Sequence, residues 1–163
     1  MWNSLRIGLY CLLLMGMTSI RAELLPPDVL ARNTTNEVVE IVKQDREIKA
    51  GNAKRIYDLV EAKVLPHFDF RQMTQLAVAR NWARATPEQQ QRLTDEFRAL
   101  LVRTYAASLS SVADYKIDFK PLRMRPGDED VTVSTEVSKP GAAPITIDYR
   151  MEKQAGGWKV YDV

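Results

Sequence analysis

The sequence predicts an α+β fold in which N-terminal helices pack on a curved C-terminal antiparallel sheet, and three observations carry that prediction. Apolar residues in the first half recur at helical spacing. In the second half the period switches to alternation of apolar with polar residues. The alternating runs are joined by short turn-forming connectors, which fits a meander with one wet and one apolar face. Helices first and strands afterwards place the helical layer on that apolar face.

The elements follow in order. Pro26-Pro27-Asp28 can start a helix, with proline tolerated in its first turn, and Val38, Val39, Ile41, Val42 and Ile48 give one apolar side to residues 28–49. Gly51-Asn52 breaks it, and Ile56, Leu59, Val60 and Val64 space a short second helix closed by Pro66. Asp69 caps a third helix with Met73, Leu76 and Ala77 on one face and Trp82 near its end. Thr86-Pro87-Glu88-Gln89 is a capping box with proline at the first helical position, and Glu88 meets the positive end of the helix dipole. From there Leu93, Phe97, Leu100, Leu101, Thr104, Tyr105 and Leu109 form one broad stripe on a long helix. The strands are read from Tyr115, Ile117 and Phe119; from Val131, Val133, Thr135 and Val137; from Ile145, Ile147, Tyr149 and Met151; and from a run that begins at Trp158 and Val160. Arg125-Pro126-Gly127-Asp128, Lys139-Pro140-Gly141 and Ala155-Gly156-Gly157 supply the turns.

Length and composition bound the rest. The chain has 163 residues, enough for one domain with a core. Residues 1–22 read as a signal peptide rather than as part of it: Arg6 is a thin positive start, Ile7 to Met17 is apolar but too short to span a bilayer, and Ala22 precedes Glu23 as a cleavage site requires. An uncleaved anchor is the bland alternative, and a lipoprotein reading of Cys11 is weakened by Tyr10 standing where a small residue is wanted. Without residues 1–22 the domain, 23–163, has 21 basic and 21 acidic residues and no cysteine. It therefore needs neither a disulfide nor a reducing compartment, and nothing in its charge points to nucleic acid.

The inventory of reactive groups is thin. His67 is the sole histidine and, with Asp69, is the one candidate acid/base pair; the bland reading is a loop histidine beside a capping aspartate. Too few histidines and cysteines remain for a transition-metal site, and Asp128-Glu129-Asp130 reads as a solvated turn before it reads as a calcium site. No glycine-rich phosphate loop occurs, and Ser108, Ser110 and Ser111 have no histidine at a recognisable spacing. The reading is of a protein without catalytic residues, metal or cofactor.

From Ile56 to Val163 the sequence resembles the Ttg2D/MlaC family of periplasmic phospholipid carriers. The resemblance rests on Val64-Leu65-Pro66 with Asp69-Phe70 and Met73; on Trp82 with Ala85-Thr86-Pro87-Glu88-Gln89; and on Phe97, Leu100-Leu101, Thr104-Tyr105-Ala106 and Leu109. Ile145 to Tyr149 and the closing Trp158 to Val163 complete it, whereas residues 23–55 look like the family's variable N-terminal helix. The chain departs from the family at Val78-Ala79, where Leu-Gly is usual, and at Leu93 and Val112, where aromatics are common. Family members usually continue past Tyr161-Asp162-Val163, so the resemblance implies a fold incomplete at its C-terminus.

That resemblance implies a cone-shaped, NTF2/cystatin-like fold, export to the periplasm and a phospholipid cargo. It also implies an inner-membrane ABC transporter with an MCE-type ring and an outer-membrane lipoprotein complex as partners, with a monomeric carrier shuttling between them. The expected lining residues are those on inward faces: Val60, Val64, Met73 and Leu76 from the shorter helices, and Phe97, Leu100, Leu101, Tyr105 and Leu109 from the long one. Val131, Val133, Ile145, Ile147, Tyr149 and Val160 complete the set from the sheet, with Tyr105 and Tyr149 nearest the mouth. Stripes and alternating strands alone are more often plain core. Two other readings therefore stay open: an enzyme on a similar fold using His67 and Asp69, and a lipid-free interaction module docking through residues such as Arg80, Arg84 and Arg103.

Overall fold

The structure is a computed structural model that describes residues 24–163. The expected signal peptide lies outside the described residues. These form five α-helices, several 3-10 or π turns and one four-stranded sheet.

Helix α1 (Pro27–Gln44) begins at Pro26 with Pro27 in its first turn, and buries Val38 and Val42. It does not run to residue 49. Asp45 takes an extended conformation, and its carboxylate accepts the amide N–H groups of Glu47 and Ile48, so it starts a separate turn, α2 (Arg46–Lys49). Arg55 donates to the other oxygen at 2.7 Å, and this guanidinium is the first cause that holds the Asp45 carboxyl below its ordinary range. Asn52 caps α3 (Ala53–Leu59), which widens into a π turn at Val60–Val64 and tightens into a 3-10 turn at Leu65–His67. Pro66 sits inside that last turn rather than ending the helix before it, because a first-turn proline has no amide to lose.

Asp69 caps α4 (Phe70–Val78) by accepting the Gln72 N–H at 2.9 Å. Trp82 belongs to a distinct 3-10 segment, Ala79–Arg84, entered through Ala79 at φ 49°. The capping box forms as expected at the start of α5 (Pro87–Tyr105): the Gln89 N–H donates to Thr86 Oγ1 and the Thr86 N–H to Gln89 Oε1. The helix ends at Tyr105, so Leu109 lies in a 3-10 run, Ala106–Asp114.

The strands β1 (Lys116–Phe119), β2 (Asp130–Ser138), β3 (Ile145–Gln154) and β4 (Gly157–Asp162) pair antiparallel in sequence order. Opposed pairs Val131–Met151, Val133–Tyr149, Thr135–Ile147 and Val137–Ile145 put one alternating set on a single face. A register shift beside Arg150 and Met151 brings Val160 opposite Met151. The edge of β4 is covered by the chain before α4: Phe68 bridges Val160 in parallel, and the Asp69 N–H donates to the Val160 carbonyl at 2.8 Å.

Burial divides into two clusters. Val38, Val42, Ile48, Ile56, Leu59, Val60, Val102 and Ala106 form a helical core. Val131, Val133, Met151, Trp158 and Val160 form a second core on the sheet, covered by Leu30 and Ala31 of α1 and by Phe68.

Candidate functional site

The sheet's apolar face is not covered along its whole length. At the Val131–Met151 end it is closed, and Val133 is 1 % exposed. Toward the start of β3 the cover thins: Thr135 is still buried, Tyr149, Ile147 and Val137 are half-buried, and Ile145 is 60 % exposed. Ile145, Ile147 and Tyr149 alternate on β3 and share the face of the buried set, so the uncovered end continues the core surface.

Helix α5 has a matching deficit. It packs beside α4 and onto the 3-10 run that follows it, and it makes no substantial contact with the sheet. Its well-buried residue is Val102, at 8 %, beside Ala106 of the following turn. The expected stripe is only partly turned inward. Phe97 and Leu101 are half-buried, whereas Leu100 and Tyr105 are 50 % and 63 % exposed. The reason is local: no described element lies outside α5 to cover its far side, so Leu93 and Leu100 remain in solvent. Exposure at Tyr105 also leaves its hydroxyl wet, with no buried partner required.

The remaining expected residues divide between these settings. Val60 is buried inside the helical core, and Val64 and Leu109 are half-buried against it. Val131, Val133 and Val160 are buried in the sheet core, Met73 is half-buried on α4, and Leu76 is exposed on the same helix. The structure thus gathers apolar side chains that are incompletely packed at two places, the open end of β3 and the α4–α5 pair. Residues outside the expected lining set also belong here: Leu65 and Val112 flank the helical core half-buried, and Phe68 and Phe119 flank the sheet core. Leu65 and Phe68 lie in and just after a short 3-10 turn, where helical spacing carries little signal, and Val112 lies in a 3-10 run whose spacing differs from that of an α-helix; Phe119 was legible by alternation as part of the first strand.

The polar groups do not assemble into reactive sets. Asp69 Oδ1 is taken by the Gln72 N–H and Oδ2 by the Gln154 side-chain amide at 2.7 Å, so neither oxygen orients His67. Partial burial, then the nearby Lys159 charge, lowers the pKa of His67 and favours its neutral form. Asp128 accepts the Arg125 N–H, while Asp130 accepts the hydroxyl of Tyr161 on the sheet's outer face. Among the described residues no three His, Cys, Asp or Glu side chains are placed to hold a metal ion. Two hollows have mixed linings: one of about 310 Å³ beside Asp69, Gln72, Gln75 and Leu76, and one of about 620 Å³ beside Lys120, Val131, Thr132 and Ser134.

The fold is thus a two-layer α+β arrangement in which the helical layer leaves part of an apolar sheet face uncovered. The MlaC protein family model matches residues 32–163, and the chain belongs to that family. The match starts inside α1, well before Ile56, so more of the N-terminal helix carries the family pattern than its sequence suggested. Toluene tolerance protein Ttg2D of Pseudomonas putida is 28 % identical over 164 aligned positions, covering 100 % of this chain and 75 % of that protein. A solved structure of a phospholipid-binding protein from Ralstonia solanacearum, in complex with a phospholipid, is 40 % identical with a TM-score of 0.75. The superposition covers 83 % of this chain and 75 % of that one.

Proposed function

We propose that this protein binds a phospholipid and carries it through the periplasm, with the acyl tails held against the uncovered apolar surface between the helical layer and the sheet. The observation that carries the reading is the exposure of Ile145 on the same face as the buried Val133. A fully packed module of this size would cover that face, since each methylene left in water forgoes about 0.8 kcal/mol. The same figure is why a diacyl lipid needs a carrier: its tails must meet surroundings comparable to the bilayer, so that uptake and release are near-neutral. Membership of the MlaC family and the phospholipid complex of the Ralstonia relative support this cargo over other apolar ligands.

In this reading residues 1–22 direct export and are removed, and residues 23–163 are one carrier domain acting as a monomer. The tails contact Val64, Met73, Leu76, Phe97, Leu101, Tyr105 and Leu109 from the helices, and Leu100, exposed on the far side of α5, lies at the edge of that surface. Ile145, Ile147 and Tyr149 meet them from the sheet, while Val60, Val131, Val133 and Val160 form the buried floor on each side. The protein is a binding protein and not an enzyme, since Asp69 is committed to a helix cap and a glutamine. Its exchange partners are an inner-membrane ABC transporter complex with an MCE-type ring and an outer-membrane lipoprotein complex.

Native mass spectrometry of protein purified from a bacterial periplasm, with the released ligand identified after denaturation, tests the cargo. One phospholipid per chain is expected. Leu101→Asp places a charge on the half-buried stripe and is expected to leave the protein folded but empty. A folded Leu101→Asp protein that still retains lipid would remove α5 from the site.

A further inference from the structure

The charge of the molecule is unevenly placed. From Phe70 to Tyr105 there are six cationic side chains, Arg71, Arg80, Arg84, Arg92, Arg98 and Arg103, against three carboxylates, Glu88, Asp95 and Glu96. Residues 24–69 and 106–163 each carry one more acidic than basic residue, whereas the α4–α5 hairpin is net positive by three. Two of the six arginines are engaged: Arg71 donates to Gln90 and lies over Trp82, and Arg98 pairs with Glu61 and lies over Phe70. Arg80, Arg84, Arg92 and Arg103 make no ion pair among the described residues. All four are exposed.

The same hairpin carries exposed apolar side chains. Leu93 and Leu100 lie seven positions apart and so fall on one line of α5. Arg92 and Arg103, eleven apart, run beside that line with Glu96 between them, and Arg80 and Arg84 stand in the turn before the helix starts. A strip of leucines edged by guanidinium groups is an amphipathic cationic surface, the composition that favours a headgroup–acyl boundary. Every cation on it is arginine, whose planar fork suits phosphate oxygens better than an ammonium does.

We propose that this exposed face of the α4–α5 hairpin docks on a lipid surface bearing anionic phosphate headgroups. The proposal rests on the carrier reading above, because Leu100 adjoins the half-buried Leu101 of the cargo surface, so docking here would bring the open apolar side against the bilayer. Charge complementarity selects the occupant: the net positive hairpin, with four arginines outside any ion pair among the described residues, is attracted to anionic lipid.

The test is flotation of the purified protein with vesicles of phosphatidylethanolamine and phosphatidylglycerol, against vesicles of phosphatidylcholine alone, at low and high salt. Binding is expected on the phosphatidylglycerol vesicles, is weakened by salt, and is absent on phosphatidylcholine. Arg80→Glu with Arg84→Glu is expected to weaken it at least about tenfold while the phospholipid that copurifies is retained. Should charge reversal impair folding, Arg92→Gln with Arg103→Gln carries the same expectation. Equal flotation of variant and parent, or no flotation of a parent that copurifies with phospholipid, would overturn the docking proposal; the latter points the arginines to an acidic protein surface. A parent that floats but never copurifies with phospholipid overturns the carrier reading instead.

Discussion

The two ends of the sheet's inner face are built from the same kinds of residue and end in opposite states. Val131, Val133, Met151, Trp158 and Val160 are buried under Leu30, Ala31 and Phe68, whereas Ile147 and Tyr149 are half-covered and Ile145 stands in solvent. Nothing in the strands themselves distinguishes the ends, since both alternate apolar with polar and both belong to one antiparallel register. The difference comes from the helices. The start of α1 and the segment that bridges β4 reach one end of the face, and α5 packs on α4 rather than on the other end. A fold can therefore leave apolar surface available without any change in strand chemistry, by placing its second layer off-centre.

The comparison predicts a large asymmetry in stability. Trp158→Ala opens the covered end and is expected to cost about 3–5 kcal/mol, read from the midpoint of urea unfolding followed by circular dichroism. An unfolding midpoint within error of the parent would mean that the covered end is not a core at all.

How much of this was legible in the sequence depends on the range of the forces involved. The strands were readable because alternation is a property of the strand alone, and the observed register put Val131, Val133, Ile145, Ile147 and Tyr149 on one face. The Thr86–Gln89 box was readable for the same reason, being complete within four residues. The break at Asp45 was not, because Ile48 continues the apolar spacing across it and the cap that Asp45 makes to the Glu47 and Ile48 N–H groups leaves that spacing unchanged. Nor was the division of the long helical stripe. Spacing put Leu100 on the stripe and left Val102 off it, whereas packing of α5 on the following 3-10 turn buries Val102 and leaves Leu100 exposed.

A second, smaller effect lies at the junction of the helices. Ala79 adopts φ 49° and ψ −126°, a conformation natural to glycine and strained for any residue with a Cβ. The resemblance put glycine at this position in the family, and the backbone angle supplies a direct cause. Ala79→Gly is expected to raise stability by about 1 kcal/mol, the relief of strain exceeding the entropy that glycine adds to the unfolded chain. Thermal unfolding measures it, and a destabilised variant would show that α4 and the following turn do not hold that angle in solution.

Ile145 sharpens the contrast with Trp158 from the other side. Its side chain is already in water, so Ile145→Ala is expected to change stability by less than about 0.5 kcal/mol. Yet if acyl tails rest on this end of the face, the same substitution removes contact area from the bound lipid and speeds its loss to acceptor vesicles. A fluorescent phospholipid transfer assay on the two proteins separates these expectations. A change in stability as large as that at Trp158, with transfer unaltered, would assign Ile145 to the core and take the open end of β3 out of the cargo surface.

The smallest effect concerns pH and the segment that seals the β4 edge. His67 lies just before the Phe68 bridge, and partial burial, reinforced by Lys159, lowers its pKa from 6.5. The unfolded chain then binds the proton more readily than the folded one does. Stability is accordingly full above 6.5, is lost as the pH falls from 6.5 toward the lowered value, and loses no more below it through this group. His67→Gln is expected to flatten that part of the stability–pH curve and to leave the curve above neutrality unchanged. Because Lys159 also donates to the Pro66 carbonyl, the positive charge beside His67 is fixed by the same contact that holds the bridging segment to β4. Protonation of His67 therefore opposes closure of the covered end. An unaltered slope in the variant would mean that the segment carrying His67 is already released from β4 in the acid range.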